Sequence, residues 1–215
     1  FIEGATRGIL SGSGLVFAAL FLSSLLCGRS VCGWICPAGA LQEIIADFRS
    51  KPAKRNRFSW IKYIIWVPWF GFFLFTLIQA GGVGKIDFFR QTENGISVSD
   101  IVTITIYFFF VALMVLLALT VGRRGACHTI CWMAPFMIFG RRMRNLFQWP
   151  SLRLYVTEED CIQCGHCTRQ CPMSLDVYHM VQIGNMEHSE CILCGTCIDV
   201  CPENVIHYSF STIKK

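Results

Sequence analysis

No histidine precedes His128 in this 215-residue chain. The three long apolar runs therefore contain none, which excludes a bis-histidine haem within them, and no haem is expected in the chain. Charge is scarce as well. Asp, Glu, Lys and Arg make up 15% of the residues, against about a quarter in soluble domains. Neither a Walker-type phosphate loop nor a dinucleotide-binding glycine motif is present; Gly81-Gly82-Val83-Gly84 lacks the strand–helix context such a motif needs. There is no DNA-binding motif, and a net charge of +5 is modest, so a nucleic-acid partner is not expected. Cysteine is absent from the loop Ala80 to Asp100, although the chain holds 13.

Hydrophobic residues are plentiful, at 53%. A bilayer crossing takes roughly 20 apolar residues, and three runs qualify: 8–26, 59–79 and 101–121. Pro68 falls inside the second. Near its start, Lys62 is placed to snorkel, and Trp60 and Tyr63 suit a membrane interface. The first run lacks a convincing cleavage site, so it reads as a retained helix rather than a signal peptide. Arg29, Arg49, Lys51, Lys54, Arg55 and Arg57 follow the first run, and Arg123, Arg124, Arg141, Arg142, Arg144 and Arg153 follow the third. The loop between the second and third runs has only Lys85 and Arg90. The positive-inside rule then places both basic segments in the cytoplasm. Every cysteine falls on that side, where thiols stay reduced.

The expected fold is an α-helical integral membrane protein with an internal repeat and a C-terminal α+β domain. Residues 1–154 form the membrane domain, with cytoplasmic Cys-x3-Cys segments at 27–58 and 122–154. Residues 155–215 form the second domain. There, CIQCGHCTRQCP and CILCGTCIDVCP are two copies of Cys-x2-Cys-x2-Cys-x3-Cys-Pro, the spacing of a bacterial-type two-cluster 4Fe–4S ferredoxin. Three closely spaced thiolates hold three corners of one cubane, and the fourth cysteine reaches the other. One cluster is expected at Cys161, Cys164, Cys167 and Cys201, the other at Cys191, Cys194, Cys197 and Cys171. Gly165 and Gly195 relieve the bending backbone, and Pro172 and Pro202 end the local turn. Structural zinc, which favours separated Cys-x2-Cys pairs, fits less well. His166 reads as a surface residue near the first cluster.

Four of the five remaining cysteines form a second repeat. Cys32 and Cys36 follow the first apolar run, and Cys127 and Cys131 follow the third; each pair comes after a Gly-Arg step, Gly28-Arg29 and Gly122-Arg123. Residues four apart on a helix face one way. The four thiols have three open readings: a third iron or iron–sulfur centre at the membrane edge, a redox-active or transiently metal-binding thiol group, or a structural tie. Cys27 has no counterpart and reads as a small apolar residue, and His128 as a solvated loop residue.

CGWICPAGALQE, together with the eight cysteines of the C-terminal motifs, resembles the membrane polyferredoxins related to NapH, NosR and CcoG, the NapH type most closely. The likeness covers nearly the whole chain, except that Trp132, not proline, follows Cys131. The resemblance implies a multi-pass protein of the prokaryotic cytoplasmic membrane with its ferredoxin domain inside. It implies electron transfer between a cytoplasmic redox partner and the quinone pool, or a membrane or extracytoplasmic partner. It also implies redox subunits carrying flavin, haem or iron–sulfur groups. Arg90 and Asp87 are candidate contacts to a quinone headgroup. The lack of a recognisable substrate pocket fits one subunit of an oxidoreductase complex rather than a separate enzyme. The CcoG branch implies an alternative, copper reduction or maturation of a respiratory enzyme.

Overall fold

The computed structural model describes residues 9–48, 52–53, 59–82, 85–87 and 100–212. Val83, Gly84, Arg90 and the loop cations Arg49, Lys51, Lys54, Arg55 and Arg57 lie outside the described residues.

The chain opens with β1 (Ile9–Ser11), α1 (Gly12–Cys27), α2 (Ser30–Trp34) and α3 (Pro37–Phe48), followed by α4 (Ile61–Gln79), β2 (Lys85–Asp87) and α5 (Ile101–Val121). α4 and α5, of 19 and 21 residues, are long and apolar enough to cross a membrane; at ~1.5 Å per residue each covers roughly 30 Å. Most of their surface faces outward. On α5, Phe108, Phe109, Phe110 and Leu116 are all more than half exposed, a continuous apolar face larger than a water-soluble surface tolerates. At the start of α5 the Asp100 amide donates to Thr103 Oγ1 (3.3 Å), and Gly122 at its end takes φ +116°.

α1 is shorter than the expected 8–26 span. It has 16 residues and begins at Gly12, because Ile9–Ser11 pairs in parallel with Lys85–Asp87. The pairing takes up Ile9–Ser11, while Gly12, Ser13 and Gly14, despite low helix propensity, already belong to α1. α4 continues through Pro68.

After α5 come α6 (Gly125–Thr129), α7 (Met133–Phe147), β3 (Ser151–Val156), a 3-10 turn at Glu158–Asp160, α8 (His166–Gln170), α9 (Val177–Gln182), α10 (Thr196–Asp199) and β4 (Ile206–Ser211). α7 lies along α1. Gly140 lets Ser24 approach, since a Cβ there would collide with Ser24 Oγ. The Trp149 indole N–H caps Leu25 O at 2.8 Å. An aromatic cluster joins α1, α4 and α7: Phe136 packs on Phe17, Trp66 and Phe70 at 5.2–5.3 Å between ring centres. The other face of α7 carries Arg141 and Arg144, both buried against the C-terminal lobe.

In that lobe β3 and β4 pair antiparallel, from Ser151↔Ser211 to Val156↔Ile206. Its core is Val156, Met173, Leu175, Val177, Met180, Val181, Met186, Ile192, Val205 and Ile206, with seven of the eight motif cysteines in or against it. So few apolar side chains make a small core, and ligand-bound cysteines would add the missing cross-links.

Candidate metal centres

The eight motif cysteines line two cavities. Cys161, Cys164, Cys167 and Cys201 line one, together with Ile162, Tyr178, Val181, Val205 and Ile206. Cys171, Cys191, Cys194 and Cys197 line the other, among Leu154, Met173, Leu175, Met180 and Ile192. In each, three cysteines come from one motif and the fourth from the other. The backbone repeats itself at an interval of thirty residues. Gln163 and Leu193, Gly165 and Gly195, and Ser174 and Asn204 take positive φ in pairs: +58° and +52°, +67° and +87°, +50° and +49°. Each loop thus curls the same way round its cavity. At Gly195 a side chain would also meet Tyr208 Oη at 2.8 Å.

The donor set fits a cubane cluster. Four thiols around an apolar hollow are what a 4Fe–4S group takes. Burial pushes the Cys171 thiol up to about 11 and Cys197 higher still, so neither is a thiolate on its own; a metal would displace the proton. Among the described residues, no three His, Cys, Asp or Glu side chains converge tightly enough for a single metal ion.

Beside the apolar helices the two Cys-x3-Cys segments fold alike. α2 and α6 have five residues each. Cys36 N–H donates to Val31 O and Cys131 N–H to Ala126 O, both at 3.0 Å. Three residues before the first cysteine of each pair stands a buried arginine, Arg29 or Arg124, 1% exposed in both cases. Six residues after the second cysteine stands a side chain that reaches the opposite pair. Gln42 Nε2 lies 3.3 Å from Cys127 Sγ, and Met137 Sδ lies 3.4 Å from Cys32 Sγ. Arg124 donates to Cys32 O (2.7 Å) and to Glu43 (2.6 Å). Burial, then Cys131, pushes Cys127 up to about 12; burial, then Cys32, raises Cys131. These interactions link Cys32, Cys127 and Cys131, but they do not include Cys36. Trp132, which replaces proline, packs edge-on against Phe17 and Trp69 at 5.1 and 5.0 Å and ties the second pair to α1 and α4.

The first Cys-x3-Cys segment touches one cavity directly. A Cβ on Gly33 would meet Ile192 O at 2.7 Å and Cys194 Cα at 3.2 Å. Leu193 O accepts from Trp34 Nε1 at 2.9 Å and from Tyr208 Oη at 2.7 Å. Glu190, just before Cys191, pairs with Arg29 (2.8 Å) and Lys62 (2.5 Å). Lys62 therefore does not snorkel. It is 0% exposed and turned inward onto Glu190. His128 is not a solvated loop residue either. Burial, against the pull of Glu190, lowers its imidazole to about 4, so it is neutral, and its Nε2 is buried with no hydrogen-bond partner.

Sequence reasoning missed Glu187, Glu190, Gln42, Met137 and the roles of the buried arginines. One signal was available. Aligning the pairs on their cysteines matches Arg29 with Arg124, not Arg123, and Gln42 with Met137.

Comparison with known proteins agrees with this geometry. A family described as "4Fe-4S binding domain" matches residues 11–56, and one described as "4Fe-4S dicluster domain" matches residues 160–206. The chain is similar to the putative electron transport protein YccM of Escherichia coli (strain K12), 22% identical over 207 residues, covering 86% of this chain and 53% of YccM. It is also similar to the regulatory protein NosR of Stutzerimonas stutzeri, 30% identical over 184 residues, covering 78% of this chain and 23% of NosR. It thus spans about half of one relative and a quarter of the other. No solved structure matches. With iron–sulfur matches at both ends and crossed cysteine cavities, the chain carries two 4Fe–4S-binding regions and is similar over most of its length to YccM and NosR.

Proposed function

We propose that the chain is a membrane-spanning one-electron carrier. It reads as three transmembrane helices, α1, α4 and α5, in two copies of a helix–loop unit, with the C-terminal lobe in the cytoplasm. Cys161, Cys164, Cys167 and Cys201 would hold one 4Fe–4S cluster, and Cys171, Cys191, Cys194 and Cys197 the other. When bound, these groups accept and release single electrons. The chain's own residues do the rest. Met173, Met180 and Ile192 exclude water, while Trp34, Gly33 and Tyr208 hold the Cys191–Cys197 loop against the membrane edge. The observation that carries the reading is this contact between Gly33 and Cys194. It puts a ligand loop beside Cys32, whose group with Cys127, Cys131 and Cys36 we assign to a further iron-containing centre. The 4Fe–4S match over residues 11–56 supports that assignment. A cytoplasmic donor and a quinone or membrane-bound redox acceptor would complete the path.

A second reading rests on the Cys32–Met137 sulfur contact. Thiol plus thioether is a donor set for Cu(I), so a copper-reducing or maturation role is the alternative.

The test is reoxidation of the reduced protein in liposomes, followed by its visible absorbance. With a quinone as acceptor and copper chelated, Cys32→Ser and Cys131→Ser should slow reoxidation ~10-fold or more while the C-terminal clusters stay loaded. Unchanged rates with quinone, but lost reduction of Cu(II), would replace the conduit by the copper reading.

A further inference from the structure

The two cavities repeat in sequence but differ in charge. Around Glu187–Cys191 the fold buries five cations: Arg29, Lys62, Arg141, Arg144 and Arg153, each at most 5% exposed. Among the described residues, only Glu187 and Glu190 answer them in ion pairs. Arg141 Nη1 also donates to the carbonyl of Cys191 itself, at 2.9 Å. Several of their N–H groups, Arg29 Nε, Arg144 Nε and Arg153 Nη2, are buried without a hydrogen-bond acceptor. A buried surplus of positive charge is unfavourable unless negative charge lies close by. Four thiolates on a cubane supply net negative charge at this place.

The other cavity has the reverse surroundings. Glu158, Glu159 and Asp160 form the exposed turn leading into Cys161, and Glu203 follows Pro202 on its rim. The nearby cation, Arg169, is itself exposed and donates to Cys164 O at 3.3 Å. These charges stand in water and are strongly screened. The buried cations are not.

We infer that Arg29, Lys62 and Arg141 form an electrostatic collar that makes the Cys171/Cys191/Cys194/Cys197 centre the higher-potential member of the pair. The inference rests on the ligand sets proposed above. Reduction adds one negative charge to a centre. Buried cations beside one centre stabilise that charge, whereas acidic residues beside the other oppose it. An electron delivered by a one-electron donor at the solvent-facing centre then comes to rest at the membrane-facing one, with one centre oxidised as the other is reduced. The collar residues ligate nothing. They give the chain a direction, from the exposed rim of Cys164 toward the membrane edge.

The test is a redox titration of the anaerobically purified full chain, followed by the spin-resonance signals of the reduced clusters, alongside an iron count. Lys62→Met and Arg141→Gln, on different helices, should each lower the reduction equilibrium constant of one signal about tenfold, which is about 59 mV for one electron. That signal should be the higher-potential one in the unaltered chain. Lys62→Arg keeps the charge and should restore the potential. Glu203→Gln should raise the other signal by a smaller factor, about threefold. Two loaded clusters with neither variant moving a signal, or with the lower-potential signal moving, would overturn the collar and leave the ligand sets standing. An iron count short of about eight would overturn the ligand sets as well.

Discussion

The cavity of Cys161, Cys164, Cys167 and Cys201 has an exposed ligand position, Cys164, and nothing lies within 4 Å of a side chain added at Gly165 in its loop. The Cys191–Cys197 loop of the other cavity is covered by Gly33 and Trp34, which pack on Ile192–Cys194, and is flanked by buried ion pairs. Two loops with the same cysteine spacing and the same left-handed turns thus have different neighbours. Local sequence sets which ligands meet. Tertiary packing sets what each centre faces, and so what it exchanges electrons with.

The comparison breaks most severely at the crossed ligands. Cys201→Ala should remove the solvent-facing cluster, with about four irons lost per chain, and leave the membrane-facing one. Cys171→Ala should do the opposite, and iron analysis with spin-resonance spectra separates the two cases.

Glu187 comes next. Its carboxylate takes Arg141 Nε at 2.5 Å and Arg153 Nη1 at 3.2 Å, with Arg144 at 3.7 Å. Glu187→Gln leaves three buried guanidiniums short of a partner and should destabilise the lobe by about 3–5 kcal/mol in denaturant titration. Burial would lift this carboxyl, but hydrogen bonds and charge from Arg141, Asn145 and Arg144 hold it at about 2, below its ordinary 4.5. A depressed folded-state value means the contribution is complete above about pH 4.5 and is lost as pH falls toward 2. Stability measured against pH should therefore lose this component in Glu187→Gln and keep it in the unaltered chain.

Two glycines sharpen the contrast between roofed and open loops. Gly33→Ala places a Cβ 2.7 Å from Ile192 O, an overpacking worth about 1–3 kcal/mol, and should expose the membrane-facing loop to hydrogen exchange. Gly165→Ala meets nothing within 4 Å, and its φ of +67° leaves only backbone strain, about 1–2 kcal/mol, confined to the open loop. Smallest of all, Trp34→Phe removes the bond to Leu193 O and should weaken the roof by about 0.5–1.5 kcal/mol.

Much of this was legible beforehand because it depends on spacing. The motif cysteines fall into the crossed sets that line the two cavities, and the apolar runs read at 59–79 and 101–121 contain the helices α4 (Ile61–Gln79) and α5 (Ile101–Val121). What escaped depends on contacts across the chain. Nothing local marks Lys62 as the partner of Glu190, 128 residues away, so a lysine at a helix start read as a snorkelling residue. Likewise His128 looked solvated until the lobe was seen to cover it. The start of α1 differs for the same kind of reason: hydropathy does not reveal that Ile9–Ser11 pairs with Lys85–Asp87, a strand far along the chain.

The most direct measurement is iron and acid-labile sulfide per chain in anaerobically purified protein, before and after Cys32→Ser with Cys131→Ser. The account predicts more than about eight irons with sulfide to match, and a fall to about eight when the membrane-edge thiols are removed. About eight or fewer in the unaltered chain, or zinc in place of iron, would contradict it.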